Sequence, residues 1–195
     1  MSKNRDAADK LFEIVERQQG YFTYKQALAV GYYRDAAHFH TKSGEWLREK
    51  RGIYRLAKFP VSDRPDLVLW SLWSADREGN IQGVYSYQTA LSLYEIADAN
   101  PAKLYITVPL KFRKFHSPPK GIVLHRAELK ESEIRKQQGY FVTTPLKTLK
   151  DMFSAQVENA SDGRQGNRLH EWQKSDDLAI KHITTSCIYA LVPNI

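Results

Sequence analysis

Apolar residues recur at helical spacing from Asp6 to Gln19, where Ala7, Leu11, Ile14 and Val15 share one face. Gly20 stops this pattern, as glycine does at a helix C-terminus. "FTYKQALAVG" restarts it. Thr23 is a good N-cap, Ala27, Leu28 and Val30 form the apolar set, and Gly31 ends the helix. "YYRDAAHFHTKSG" predicts a third short helix ending near Gly44. The period then changes. In "GEWLREKRGIYRLA" (44–57), Trp46, Leu47, Ile53, Tyr54 and Leu56 interleave with cations, and Lys50-Arg51-Gly52 is a turn signal. Trp46–Glu49 and Ile53–Leu56 can pair across it as a hairpin. Helix, helix, turn, helix and two-stranded wing in this order predict a winged helix-turn-helix.

Beyond residue 60 the pattern reads α/β. "KFPVSDRPDL" carries Pro60 and Pro65 around Ser62 and Asp63, a linker signal that places a domain boundary near residue 60. Leu67–Trp73 reads as a buried helix, and Ser86 as the cap of a helix running to about Ala97. Leu104–Val108, Ile122–His125 and Tyr140–Thr143 alternate like strands. Thr144-Pro145 opens a last helix, an N-cap followed by proline at the first helical position. "ENASDGRQGN" (158–167) reads as a polar loop. The fold class expected is α+β, with a winged helix-turn-helix at 1–60 followed by a mixed α/β C-terminal domain at 61–195.

Charge sharpens this division. The 195 residues carry a net charge of +7. Residues 1–60 hold 12 Lys/Arg against 7 Asp/Glu, whereas residues 61–195 hold 17 against 15. Most of the excess thus lies in the first third, and a basic balance favours polyanionic partners. In the third helix, at roughly 100° per residue, Arg34, His38 and Lys42 fall within about 80° of one another. Tyr33, Ala36, Ala37 and His40 lie on or towards the opposite side, with Phe39 at the flank. A basic stripe on a small apolar back suits a helix that enters the major groove, where arginine reads guanine and lysine more often meets phosphate. Arg48, Lys50, Arg51 and Arg55 put four more cations on the wing within eight residues. The candidate DNA contacts are therefore Tyr33, Arg34, His38, Lys42, Arg48, Lys50, Arg51 and Arg55. The same pattern also suits a winged helix that binds protein and whose basic face is merely solvated.

No catalytic pattern emerges. The carboxylates Asp63, Asp66, Asp76, Glu78, Glu95, Asp98 and Asp151 offer no Asp…Glu-x-Lys spacing on paired strands of the kind that holds a nuclease metal. "ELKESE" (128–133) contains Glu-x-Lys but reads as a loop or helix start. His116 and His125 lack a second ligand at metal spacing, and there is no glycine-rich phosphate loop. Neither a metal, another cofactor nor enzymatic activity is expected. The single cysteine, Cys187, excludes an internal disulfide. No run approaches the roughly 20 apolar residues of a membrane span, and the N-terminus has no signal-peptide core, so a cytoplasmic protein without membrane partners is expected. "PLKFRKFHSPPKG" (109–121) is a basic loop with two Phe, a pattern compatible with nucleic-acid contact or with a solvated connection.

Residues 20–57 also resemble the N-terminal domain of AbiEi-type antitoxins and related transcriptional regulators, through Gly20, Phe22, Thr23, Ala27, Gly31, Gly44, Arg51, Gly52, Ile53, Tyr54 and Leu56. Ala37 and His40 stand where that family has larger aliphatic residues, and Glu45 departs from it as well. "VYSYQTALSLYEIAD" (84–98), "KLYITVPL" (103–110) and "YFVTTPLKTLKDM" (140–152) resemble its later motifs, with Lys147 in an arginine position. After Asp151 the likeness fades. The resemblance implies a repressor that binds inverted repeats in its own promoter; because one winged helix offers little contact area, two copies are expected on double-stranded DNA, as a dimer or cooperatively. It also implies a nucleotidyltransferase-like toxin that is neutralised without a stable complex, in a type IV toxin–antitoxin system. The alternative is a winged-helix regulator with no toxin partner.

Overall fold

The chain was analysed as a computed structural model, which describes residues 2–96, 102–114 and 118–161. These residues form a mixed α+β structure with two sheets. Helix α1 (Ser2–Arg17) is followed by a short strand β1 (Tyr21–Thr23), helices α2 (Tyr24–Ala29) and α3 (Ala36–Lys42), and strands β2 (Trp46–Lys50) and β3 (Ile53–Leu56). After these come α4 (Pro65–Ser74), β4 (Val84–Tyr85), α5 (Tyr87–Leu93), β5 (Leu104–Val108) and β6 (Ile122–Arg126). A 3₁₀ turn at Glu131–Glu133 leads to β7 (Ile134–Lys136), β8 (Phe141–Thr143) and α6 (Pro145–Ser161).

Strands β1, β2 and β3 make an antiparallel sheet in the order β1-β3-β2. The sequence pattern predicts the β2–β3 hairpin but not β1, whose three residues pair with Ile53–Arg55 some thirty positions later. The two faces of this sheet explain its alternation. Phe22, Trp46 and Tyr54 pack with Leu11 and Val15 of α1, Ala27 of α2 and Ala36 of α3. Tyr21 and Ile53 point the other way and pack with Val68 and Leu72 of α4. Phe22 meets Trp46 edge-on at 4.8 Å between centroids and stacks on Tyr54 at 5.9 Å. Such pairs add about 0.5–1.5 kcal/mol each beyond area burial.

Local signals account for several boundaries. Gly20 has φ +96°, and a Cβ there would lie 2.9 Å from the Phe59 ring, so both conformation and space require glycine. Thr23 closes a capping box with Gln26, its hydroxyl accepting from the Gln26 N–H while the Gln26 amide accepts from the Thr23 N–H. The third helix is shorter than expected. After Gly31 the chain spends four residues turning before α3 begins at Ala36. The Tyr24 hydroxyl donates to the Arg34 carbonyl at 2.9 Å and pins that turn.

Two compact units are present. The first comprises Met1–Val84, Val108–Phe112 and Arg135–Val142, and the second Tyr85–Thr107, Arg113–Ile134 and Thr143–Ile195. The second sheet has the strand order β6-β5-β4-β8-β7. In the second unit Ser86 does precede α5, but its hydroxyl makes no cap. It accepts instead from the Thr107 hydroxyl at 2.8 Å, and both side chains are buried. Helix α5 ends at Leu93, short of the expected Ala97, which lies outside the described residues. Thr144-Pro145 opens α6 as expected. The last part of the polar stretch 158–167 and all of the chain after residue 161, including Cys187, also lie outside them.

Candidate nucleic-acid interface

Helix α3 divides cleanly by burial. Taking about 100° per residue from His38, Lys42 lies near 40°, Phe39 near 100° and Thr41 near −60°; all four side chains are exposed. Ala36, Ala37 and His40 occupy the remaining arc and are buried or half-buried. The back of the helix packs on β2 through His40, whose ring stacks on Trp46 at 4.7 Å and 21°. His40 Nδ1 also hydrogen-bonds the Glu45 carboxylate. His40 and Glu45, two of the departures from the AbiEi pattern, are therefore partners of each other. The His40 ring thus packs on Trp46 while its polar edge is satisfied by Glu45.

The expected stripe is altered at its start. Arg34 lies in the turn ahead of α3, not on the helix, so only His38 and Lys42 form a helical pair. Arg34 and Tyr33 are both exposed, and Tyr33 at 55% is not part of the apolar back. Phe39, expected at the flank, is 58% exposed on the same arc as the cations. The sequence signal that marks it is its offset of three residues from Lys42.

The wing cations have separate fates. Arg48 and Arg51 are exposed, Arg51 at the two-residue tip beside Gly52, whose φ of +76° closes the turn. Lys50 is exposed too, but its ammonium sits 5.0 Å from the centre of the Trp70 ring on α4. Arg55 is turned into the structure. Its guanidinium donates to Glu49 at 3.2 Å and to the Phe59 carbonyl at 3.3 Å, and its side chain is largely buried. Glu49 sits at an irregularity in the β2–β3 register. Arg55 thus braces the hairpin and is poorly placed to meet a phosphate, contrary to the expectation from charge alone. The bulk of the sheet's second face is likewise covered by α4 rather than open.

The basic loop is altered as well. Phe112 is buried and meets Trp73 at 6.2 Å, so it is not available to stack on a base. Lys111 and Arg113 are exposed; Phe115 and His116 lie outside the described residues. Several carboxylates considered for a metal are already engaged. Asp66 pairs with Arg64, Asp151 with Lys147, and Asp76 accepts N–H bonds from Glu78, Gly79 and Asn80. Among the described residues no three His, Cys, Asp or Glu side chains group as a metal site. None of the described helices is long and apolar enough to cross a membrane.

The first unit thus presents an exposed helix arc carrying His38 and Lys42 and an exposed hairpin tip carrying Arg51. Residues 9–57 match the protein family described as "Transcriptional regulator, AbiEi antitoxin". That segment, about a quarter of the chain, runs from within α1 to the residue after β3. No curated protein matches the chain.

Proposed function

We propose that residues 1–60 form a winged helix-turn-helix that binds double-stranded DNA, and that the chain is a cytoplasmic, non-enzymatic autorepressor with antitoxin activity. The observation that carries this reading is the exposed arc of α3, with His38 and Lys42, together with the exposed wing cations, Arg48 on β2 and Arg51 at the tip. The family match over residues 9–57 supports the regulatory role. In this reading α3 lies in the major groove, Arg34 and Tyr33 meet it at the helix entry, and the hairpin tip reaches the neighbouring backbone. A single small module offers about 600–1,000 Å² of contact, so two copies occupy an inverted repeat. The toxin is a nucleotidyltransferase-like protein that is countered without a stable complex.

The test is retardation of a fragment from the chain's own promoter across a salt series. Affinity should fall steeply, with a slope of about −0.9 for each phosphate contacted. No retention of that fragment at low salt would sink the reading. Arg48→Ala with Arg51→Ala should flatten the slope by roughly two units, while rescue from a co-expressed toxin driven by an unrelated promoter persists.

A further inference from the structure

Phe39 stands out among the exposed side chains of α3. A single exposed aromatic is ordinary on a protein surface; its placement is not. The helix buries Ala36 and half-buries Ala37 and His40, so its inward arc is already filled. Phe39 projects from the outward arc, about 60° from Lys42 and about 100° from His38. Its ring touches only the neighbouring His40, edge-on at 5.3 Å, among the aromatic contacts of α3. The nearby hydroxyl of Thr41 is turned back onto the Ala37 carbonyl at 2.6 Å, so it does not supply the arc with a free hydrogen-bond reader. The outward arc therefore presents one cation, Lys42, one imidazole, His38, and one apolar ring. In the major groove the apolar feature of a base edge is the C5-methyl of thymine, and cations serve phosphate and guanine.

We propose that Phe39 is a specificity-determining residue that packs on a thymine methyl in the major groove of the half-site. This rests on the DNA-binding reading above and deepens it: the half-site carries an obligatory thymine flanked by the positions that His38 and Lys42 approach. Water leaves both the ring and the methyl when they meet. One buried methyl is worth about a four-fold change in affinity.

Two duplexes of the chain's own promoter region test this, one made with thymidine and one with deoxyuridine throughout, which removes every C5-methyl and keeps the pairing edges. Wild-type full-length protein should bind the uracil duplex about four-fold more weakly for each methyl contacted. Phe39→Ala is exposed and should fold normally. It should lose the same factor on the thymine duplex and bind both duplexes equally. Phe39→Leu, which keeps an apolar contact, should retain much of the preference for thymine. Retention of both duplexes with the same ratio for wild type and Phe39→Ala overturns the proposal and leaves DNA binding standing. Retention of neither duplex by the wild type overturns DNA binding itself.

Discussion

Phe22, Trp46 and Tyr54 hold the first unit by ring-on-ring contact, with aliphatic side chains from α1, α2 and α3 filling the gaps. The second unit buries apolar side chains as well, among them Tyr85, Ala90, Leu91 and Ile106, and ties a set of hydroxyls in among them. Ser86, Thr89, Thr107, Thr143 and Thr148 are all buried. Thr107 donates to Ser86 at 2.8 Å, the Thr89 hydroxyl accepts from the Tyr105 N–H at 2.8 Å, and Thr143 and Thr148 share a bond of 2.7 Å. The Tyr94 hydroxyl donates to the Thr143 carbonyl at 2.9 Å. Apolar packing is nondirectional and tolerates change gradually. A buried hydroxyl is tied to one geometry, because leaving it unmade costs its desolvation.

The sharpest way to break the contrast is to remove a ring. Phe22→Ala should destabilise the first unit by about 3–5 kcal/mol. Urea unfolding followed by the fluorescence of Trp46, Trp70 and Trp73 reads it, and an unchanged midpoint would contradict the packing described.

Next in size is the pair Arg55 and Arg51, which carry equal charge and opposite duties. Arg55→Ala breaks two charge-assisted bonds and should cost about 1.5–3 kcal/mol. Arg51→Ala should leave stability within about 0.5 kcal/mol yet lower the salt slope of DNA binding by about 1. Parallel melts and salt titrations separate the two; identical behaviour would mean that the hairpin brace is not real.

In the hydroxyl network, Thr107→Val should cost about 1–3 kcal/mol, because Ser86 loses its donor. Adding Ser86→Ala should recover part of that loss. Additive losses in a double-mutant cycle would show that the two hydroxyls do not depend on each other.

The smallest effect concerns His125. Burial lowers its pKa from 6.5, and Asp151 acts in the opposite sense. Its ring lies against Tyr87 at 4.1 Å and Tyr105 at 5.9 Å, and its Nε2 is buried without a partner. The folded state therefore takes up this proton later than the unfolded state as pH falls. Full stability is present above 6.5, declines as pH drops through that value, and levels once the folded imidazole is protonated. His125→Phe should flatten that part of a melting-temperature profile between pH 7 and pH 5.

Much of the first unit was legible because its signals are local. The N-cap Thr23, the glycine after α1, the hairpin and its cationic tip each sit within a few residues of the feature they create. Strand β1 was not legible: three residues carry no periodicity, and only Ile53–Arg55 across the sheet makes them a strand. For the same reason α3 reads four residues too long at its start, since the turn at 32–35 is held by Tyr24 from the preceding helix. The candidate interface was found by charge and helical angle. Charge alone could not tell exposed Arg51 from braced Arg55, because the partners Glu49 and Phe59 act through the fold of the hairpin.

By itself the sequence determined where α2 and α6 begin, which turn closes the hairpin, where the positive charge concentrates, and the match of residues 9–57 to the AbiEi family. Those follow from backbone propensity, caps and composition, which act over a handful of residues. Only the tertiary structure decided which cations face water, that Phe39 is presented outward while Phe112 is buried, and that Ser86 bonds Thr107 rather than capping α5. Ser86 and Phe112 depend on Thr107 and Trp73, which lie far along the chain, and Arg55 on Glu49 and Phe59, which the pairing of the hairpin brings alongside.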